Sequence, residues 1–356
     1  MAIVKLEGIS KKYGDFIALD HLDLTVEKGE FLTLLGPSGS GKTTLLNIIA
    51  GMIQPSSGAI RIDGRDVTNL PTRQRGLGMV FQNYALMPHM SVFENVAFPL
   101  RVRRAREEDI RTSVSEVLKI VNLLDFARRK PHELSGGQQQ RVAIARCLVY
   151  KPGLILMDEP LGALDKNLRE QLQFEIKRLH SELGVTILYV THDQEEALAL
   201  SDRIILMNNG RVEQLGTPHD LYFHPQTVFA AQFLGESNVL AATVAGHDGE
   251  DQILNGKIGA IRSRPTSIAA GTEATVIVRP ENIRRLRPGE HLSNEISGDL
   301  IETTFVGDAT KYYVKTDNDT IIILKQLANA IPEDAGDKRV RIGWAAEHTL
   351  VLQKNV

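Results

Sequence analysis

Over the first 235 or so residues, short apolar runs rich in β-branched side chains alternate with longer amphipathic stretches. The runs at 31–35, 154–157, 186–190 and 203–207 are apolar at nearly every position, as strands covered on both faces are. Helix-period stretches follow Gly41 and occupy 109–121, 138–150, 166–183 and 194–201. This alternation predicts an α/β domain built on a parallel sheet. Near residues 233–238 the texture changes. Beyond them come short alternating runs at 274–279, 296–304, 311–316, 320–324 and 338–344, bounded by Gly, Asp and Asn. They predict an all-β domain of about 115 residues, a barrel or a sandwich. The expected division is therefore 1–236 and 237–356.

A chain of 356 residues suits two domains better than one. Its net charge of −3 gives no electrostatic case for nucleic acid or anionic lipid. The densest basic run, RVRRAR at 101–106, leads straight into Glu107, Glu108 and Asp109 and reads as a solvated helix face. The single cysteine, Cys147, excludes an internal disulfide and points to a reducing compartment. Beside Ala145 and Leu148 it reads as a buried, inert thiol. The opening MAIVKLEGIS has no signal-peptide pattern, and no apolar run approaches the roughly 18 residues of a spanning helix. The expectation is a cytoplasmic chain that meets a membrane through a partner.

Candidate chemistry begins at Gly36-Pro37-Ser38-Gly39-Ser40-Gly41-Lys42-Thr43-Thr44, which fits G-x-x-x-x-G-K-[ST] between an apolar strand and an apolar helix. Glycines let backbone N–H groups curl around an anion, and the helix beginning near Gly41 adds the positive end of its dipole. Lys42 supplies a mobile charge for the β- and γ-phosphates of a nucleotide, and the Thr43 hydroxyl is placed to ligate Mg²⁺. The strand at 154–157 ends in Asp158 and Glu159, at the C-terminal edge where open α/β sheets bind ligands. Asp158 suits a position behind the Mg²⁺, and Glu159 suits polarising an attacking water. Ser135-Gly136-Gly137-Gln138 then forms a second anion cradle, a capped helix start with two glycines. One chain has no local use for two cradles. The second makes sense if it serves the nucleotide of another copy.

Leu134 to Arg146, together with these motifs, resembles the nucleotide-binding subunits of ABC transporters, of the bacterial importer type with a C-terminal β domain. The resemblance implies an α/β P-loop NTPase with a helical subdomain, followed by an all-β, OB-like TOBE domain. It implies that Gln82, in Val80-Phe81-Gln82-Asn83, reaches Mg²⁺ and the attacking water. Gly162-Ala163-Leu164-Asp165 corresponds to the loop that crosses a dimer interface, so Asp165 meets the partner copy's nucleotide. His192 corresponds to the switch histidine that contacts the γ-phosphate, and Tyr13 to the aromatic that stacks on adenine.

The implied activity is Mg-dependent ATP hydrolysis coupled to solute import, by a homodimer enclosing two ATP molecules head to tail. The implied partners are integral membrane permease subunits and an extracytoplasmic solute-binding protein, with no nucleic acid, and the implied place is the cytoplasmic face of the inner membrane. Residues 233–238 and 343–352 look like those of the spermidine/putrescine importer ATPases, while iron(III), phosphonate, sulfate and sugar importers have similar subunits. A soluble translation-factor ATPase would carry two phosphate loops, and a chromosome-maintenance ATPase a long heptad coil in place of the roughly 90 residues between Thr44 and Leu134. The apolar stretch after Phe81 is expected to form a groove for a permease helix. The β domain stands as a regulatory or dimerisation module, with Arg279, Glu281, Asp299, Glu302 and Asp308 as a candidate polar pocket.

Overall fold

The computed structural model describes residues 2–162, 164–328 and 338–353. Ala163 of the interface-loop motif lies outside them. The described chain separates into two compact units, Met1–Asp220 and Leu221–Val356. The division falls earlier than the change of texture suggests.

In the first unit, strands β1 (Ala2–Tyr13), β2 (Phe16–Glu27) and β3 (Phe31–Leu35) precede helix α1 (Lys42–Ala50). Then come β4 (Ser57–Ile62), β5 (Arg65–Asp66), β6 (Gly78–Val80), α2 (Val92–Val102), α3 (Glu107–Ile120) and α4 (Gly136–Leu148). The unit continues through β7 (Leu154–Asp158), α5 (Lys166–Leu183), β8 (Thr186–Thr191), α6 (Gln194–Leu200), β9 (Arg203–Asn208) and β10 (Arg211–Gly216). One sheet has the order β10-β9-β3-β8-β7-β6, parallel except for its β10 edge. The other, β2-β1-β4-β5, is antiparallel and was not foreseen.

Because side chains alternate across a strand, the parallel sheet feeds two separate cores. Leu32, Leu34, Leu154, Leu156, Leu188 and Val190 pack with Leu45, Ile48 and Ile49 of α1 and with the antiparallel sheet. Phe31, Ile155, Met157, Ile187 and Tyr189 point the other way, against α2 through α5. The glycine-rich loop thus leaves one edge of a sheet clamped on both faces. The basic run at 101–106 is no single helix face: Arg101 closes α2, and Arg106 precedes α3, where it pairs with Asp109.

In the second unit, α7 (Pro218–Phe223) spans the division and α8 (Val228–Phe233) follows it. Two antiparallel five-stranded sheets come next. The first holds β11 (Asn238–Asp248), β12 (Asp251–Gly256), β13 (Gly259–Ser263), β14 (Glu273–Val278) and β20 (Leu350–Gln353). The second holds β15 (Arg284–Arg285), β16 (Asn294–Phe305), β17 (Ala309–Thr316), β18 (Ile321–Leu327) and β19 (Arg339–Trp344). Both contribute to one core around Trp344, whose Nε1 donates to Thr349 Oγ1 at 2.9 Å. The expected polar pocket is not centred on Arg279. That guanidinium is buried and donates to Ala231 O, Glu236 O, Ser237 Oγ and Tyr222 O.

Among the described residues, no helix is long and apolar enough to cross a membrane.

Candidate nucleotide site

The loop between β3 and α1 depends on its glycines. Gly36, Gly39 and Gly41 have φ of 154°, 81° and 99°. A Cβ on Gly36 would lie 2.2 Å from Met207 O, and one on Gly41 2.7 Å from Ala18 O. No side chain fits at either place, so the loop can only be a backbone surface. Lys42 is buried to 5% exposure, and its Nζ donates to Gly36 O at 2.8 Å and Pro37 O at 2.9 Å. Burial lowers its pKa, against the pull of Glu159 and Asp158. A buried ammonium held by two carbonyls and, at 3.5 Å, by the Ser40 hydroxyl, with no carboxylate among the described residues bonded to it, is a fitting receptor for phosphate.

At the end of β7, Thr43 Oγ1 donates to Asp158 Oδ1 at 3.4 Å. Burial, then the neighbouring Glu159, raises the Asp158 pKa. Among the described residues no three His, Cys, Asp or Glu side chains gather to form a metal cage. A hydroxyl and one carboxylate beside a phosphate cradle suit Mg²⁺, which takes few protein ligands and completes its shell from phosphate and water. Glu159 has φ 43°, a left-handed conformation costly for a side chain of its size and held by a bond from its N–H to Val190 O at 3.0 Å. Its Oε1 lies 3.2 Å from His192 Nδ1. A Cβ built on Gly162 would be 4.0 Å from both Glu159 Oε2 and Gln82 Nε2. Gln82, His192 and the turn that carries Glu159 and Gly162, three separate segments, therefore converge.

Tyr13 is exposed at the tip of the β1–β2 hairpin, with Lys11 Nζ 5.0 Å from its ring centre. Phe16, its cross-strand partner, is 63% exposed and went unremarked in the sequence. Strand β2 of the hairpin meets the loop where Gly41 abuts Ala18 and Leu19, and the β9–β10 turn joins the two, since Gly210 O accepts from Asp20 N at 2.9 Å and Gly210 N donates to Ser40 O at 3.2 Å.

The second cradle starts α4 with a reciprocal cap. Ser135 Oγ accepts from Gln138 N at 3.3 Å, and Ser135 N donates to Gln138 Oε1 at 3.0 Å. Its glycines have an additional packing reason: Cβ atoms there would lie 3.2 Å from Leu164 Cδ2 and 2.8 Å from Leu168 Cδ1. Asp165 caps α5 by accepting from Leu168 N at 3.0 Å. Ser135 remains exposed, and among the described residues no hydrogen bond joins 135–138 to 36–44.

Two supporting residues escaped the sequence reading. Arg146 of α4 donates to Ala85 O at 2.6 Å and Tyr84 O at 2.7 Å, holding two non-glycine residues at φ 46° and 60° just after Gln82. Asn95, fully buried in α2, accepts from Met87 N and donates to Met87 O, Met90 O and Ser91 O. Nothing in an isolated Arg or Asn signals such a role.

A glycine-walled phosphate cradle, a buried lysine and a strand ending in paired carboxylates define a P-loop nucleotide hydrolase. Residues 19–162 match the ABC transporter family model, and residues 276–352 match the TOBE domain model. The chain is 44% identical to the spermidine/putrescine import ATP-binding protein PotA of Aliivibrio fischeri, covering 99% of this chain and 96% of the relative. It is 42% identical to that of Vibrio cholerae, covering 98% and 94%. A solved dimeric ATP-binding cassette in a post-hydrolysis state with ADP and phosphate is 40% identical. That likeness covers 60% of this chain and 98% of the cassette, with a TM-score of 0.54. The chain belongs to the ABC-transporter ATP-binding family, an ATPase coupled to transport, with a TOBE-type β domain.

Proposed function

We propose that this ATPase drives import of polyamines, spermidine or putrescine, from the cytoplasmic face of the membrane, through permease subunits fed by a solute-binding protein. Two copies close head to tail on two ATP molecules, each held between 36–44 of one copy and 135–138 of the other. The observation that carries the hydrolytic reading is the convergence of Glu159, His192 and Gln82 beyond the cradle. Lys42 binds the β- and γ-phosphates, Tyr13 stacks on adenine, and Asp165 reaches the partner copy's nucleotide. Thr43, Gln82 and Asp158 would hold Mg²⁺, which supplies neutralising charge to the phosphates. Glu159 orients the attacking water and accepts its proton. His192, held against that carboxylate, contacts the γ-phosphate. Phosphoryl transfer asks mainly for positioning and charge, so fixed groups outnumber acid–base groups here. The polyamine reading is supported by relatives of over 40% identity across nearly the whole chain.

Glu159→Gln tests both halves. The purified variant should bind MgATP within about threefold of wild type, lose at least about a hundredfold in turnover, and sediment as an ATP-bound dimer. Cells carrying only this variant should lose uptake of labelled spermidine and putrescine. Turnover near wild type would remove Glu159 from the chemistry. Intact polyamine uptake with inactive protein would remove the substrate assignment.

A further inference from the structure

Leu164 of the interface-loop motif and the loop carrying His192 are held by one side chain. Arg169, on α5, donates from Nη2 to Leu164 O at 3.1 Å and from Nη1 to Asp193 Oδ2 at 3.0 Å. Its Nε lies 3.8 Å from Glu196 Oε1 and is buried without a hydrogen-bond partner. The far anchor is rigid. Asp193 Oδ1 accepts from Glu195 N and Glu196 N at the start of α6, and Asp193 N donates to Thr191 Oγ1 at 3.0 Å. Glu196, 2% exposed, accepts from Tyr189 Oη and Thr191 Oγ1, both at 2.8 Å. His192 therefore sits between two residues whose positions are fixed, while its own ring is largely exposed and lies 3.2 Å from Glu159 Oε1.

The near anchor is different. Leu164 lies in a short turn, and its N–H donates to Leu161 O at 3.2 Å. Its side chain lies against Gly136 of the second cradle. A planar guanidinium that spans a loop carbonyl and a carboxylate fixes a separation between two segments more tightly than a flexible ammonium does. A partly exposed ion pair adds little to stability by itself, so geometry is the more informative product of this bridge.

We propose that Arg169 is a positioning residue that couples the loop at 164–165 to His192, so that docking of a second copy on that loop sets the His192–Glu159 contact from which hydrolysis proceeds. The inference rests on the reading of Glu159 and His192 given above. It goes further by assigning a route, within one copy, from the dimer contact to the reacting end of the nucleotide.

The test compares full-length Arg169→Gln, Arg169→Lys, Asp193→Asn and the Arg169→Gln/Asp193→Asn double variant, with Glu159→Gln and His192→Ala as references. Turnover is measured across ATP concentration, and MgATP affinity separately with a fluorescent ATP analogue. Arg169→Gln should lower kcat about tenfold or more while KM and affinity stay within about twofold. Arg169→Lys should recover part of the loss, and the double variant should be no slower than the slower single one. Arg169→Gln turning over within twofold of wild type, beside inactive Glu159→Gln and His192→Ala, overturns the coupling alone. So do losses that multiply in the double variant. If both references stay active, the site reading and the coupling fall together. Should Arg169→Gln not fold, Arg169→Lys decides: an unchanged kcat rejects the coupling, and a reduced kcat at unchanged affinity supports it.

Discussion

Ser135 is the residue at which the two-cradle reading is most exposed to refutation. Its hydroxyl caps α4, and its side chain faces solvent away from any bond to 36–44. Ser135→Arg should leave MgATP affinity within about threefold while turnover falls about a hundredfold, because in the proposed head-to-tail dimer an arginine would fill the space that the partner copy's phosphate enters. Lys42→Ala, by contrast, should weaken binding itself. Equal loss of binding in the two variants would mean that both motifs serve one chain's own nucleotide. Cys147 offers a second residue-scale check. It is buried on α4, donates to Met79 O at 3.0 Å, and burial pushes its thiol up to about 11. A thiol-reactive dye at neutral pH should label the unfolded chain and not the folded one. A raised folded pKa means the proton is held more tightly in the native state. The thiol's contribution to stability is thus fully present below about pH 9 and is lost as pH climbs toward about 11. Rapid labelling of native protein at pH 7 contradicts this burial.

At the scale of elements, the stretch after Phe81 divides its side chains between two jobs. Tyr84 is buried in the helical core and Leu86 packs against it. Phe81, Ala85 and Met87 instead line an open groove of about 390 Å³ with Phe98, Val102 and Tyr150. An apolar groove beside Gln82 suits an amphipathic helix of a permease. Single cysteines at 81, 87 or 102 should cross-link to the permease, and one at 84 should not. Products confined to 84, or absent altogether, would remove the groove from the interface. The elements themselves were unevenly legible. Helices α3, α4 and α5 stood out because their periods are long, and β3, β7, β8 and β9 because they are apolar at nearly every position; the three-residue parallel strand β6 is too short to show. Helix α2 did not stand out: Pro99 inside it removes a backbone donor and crowds the preceding turn, and the helix forms because Val92, Val96 and Ala97 are buried in the helical core. The β1–β2 pair was missed because its register shifts four times, blurring the alternation a half-buried strand otherwise shows. The site was legible where the chemistry lies in contiguous motifs. Arg146 and Arg169 were invisible because each acts on groups distant in sequence, and Asn95 because its backbone partners at 87, 90 and 91 follow no repeating period.

At the scale of the whole molecule, the point of division is the prediction most open to experiment. Composition placed it near Glu236, yet the compact units part between Asp220 and Leu221. The reason lies in Arg279, whose guanidinium is buried to 7% exposure and stacked 4.3 Å over the Tyr222 ring. Its acceptors are Tyr222 O, Ala231 O and Glu236 O, and Ser237 Oγ joins them. Lys311 Nζ, from β17, also pairs with Glu236 at 2.7 Å. Residues 221–236 are thus bonded into the β unit, although their helical texture resembles the α/β unit. A chain ended after Asp220 should fold, bind MgATP and retain some hydrolysis, because the whole nucleotide constellation lies before it. A chain ended after Glu236 keeps α7 and α8 but loses Arg279 and Lys311, leaving several carbonyls without their donor. The longer truncation should therefore be the less soluble, with a lower melting temperature, although it retains more of the protein. Melting curves, sedimentation with and without MgATP, and ATPase rates on the two truncated chains make the comparison. If the chain ended at Glu236 is the more stable, the second unit begins where composition put it, and the Arg279 cluster does not define the boundary.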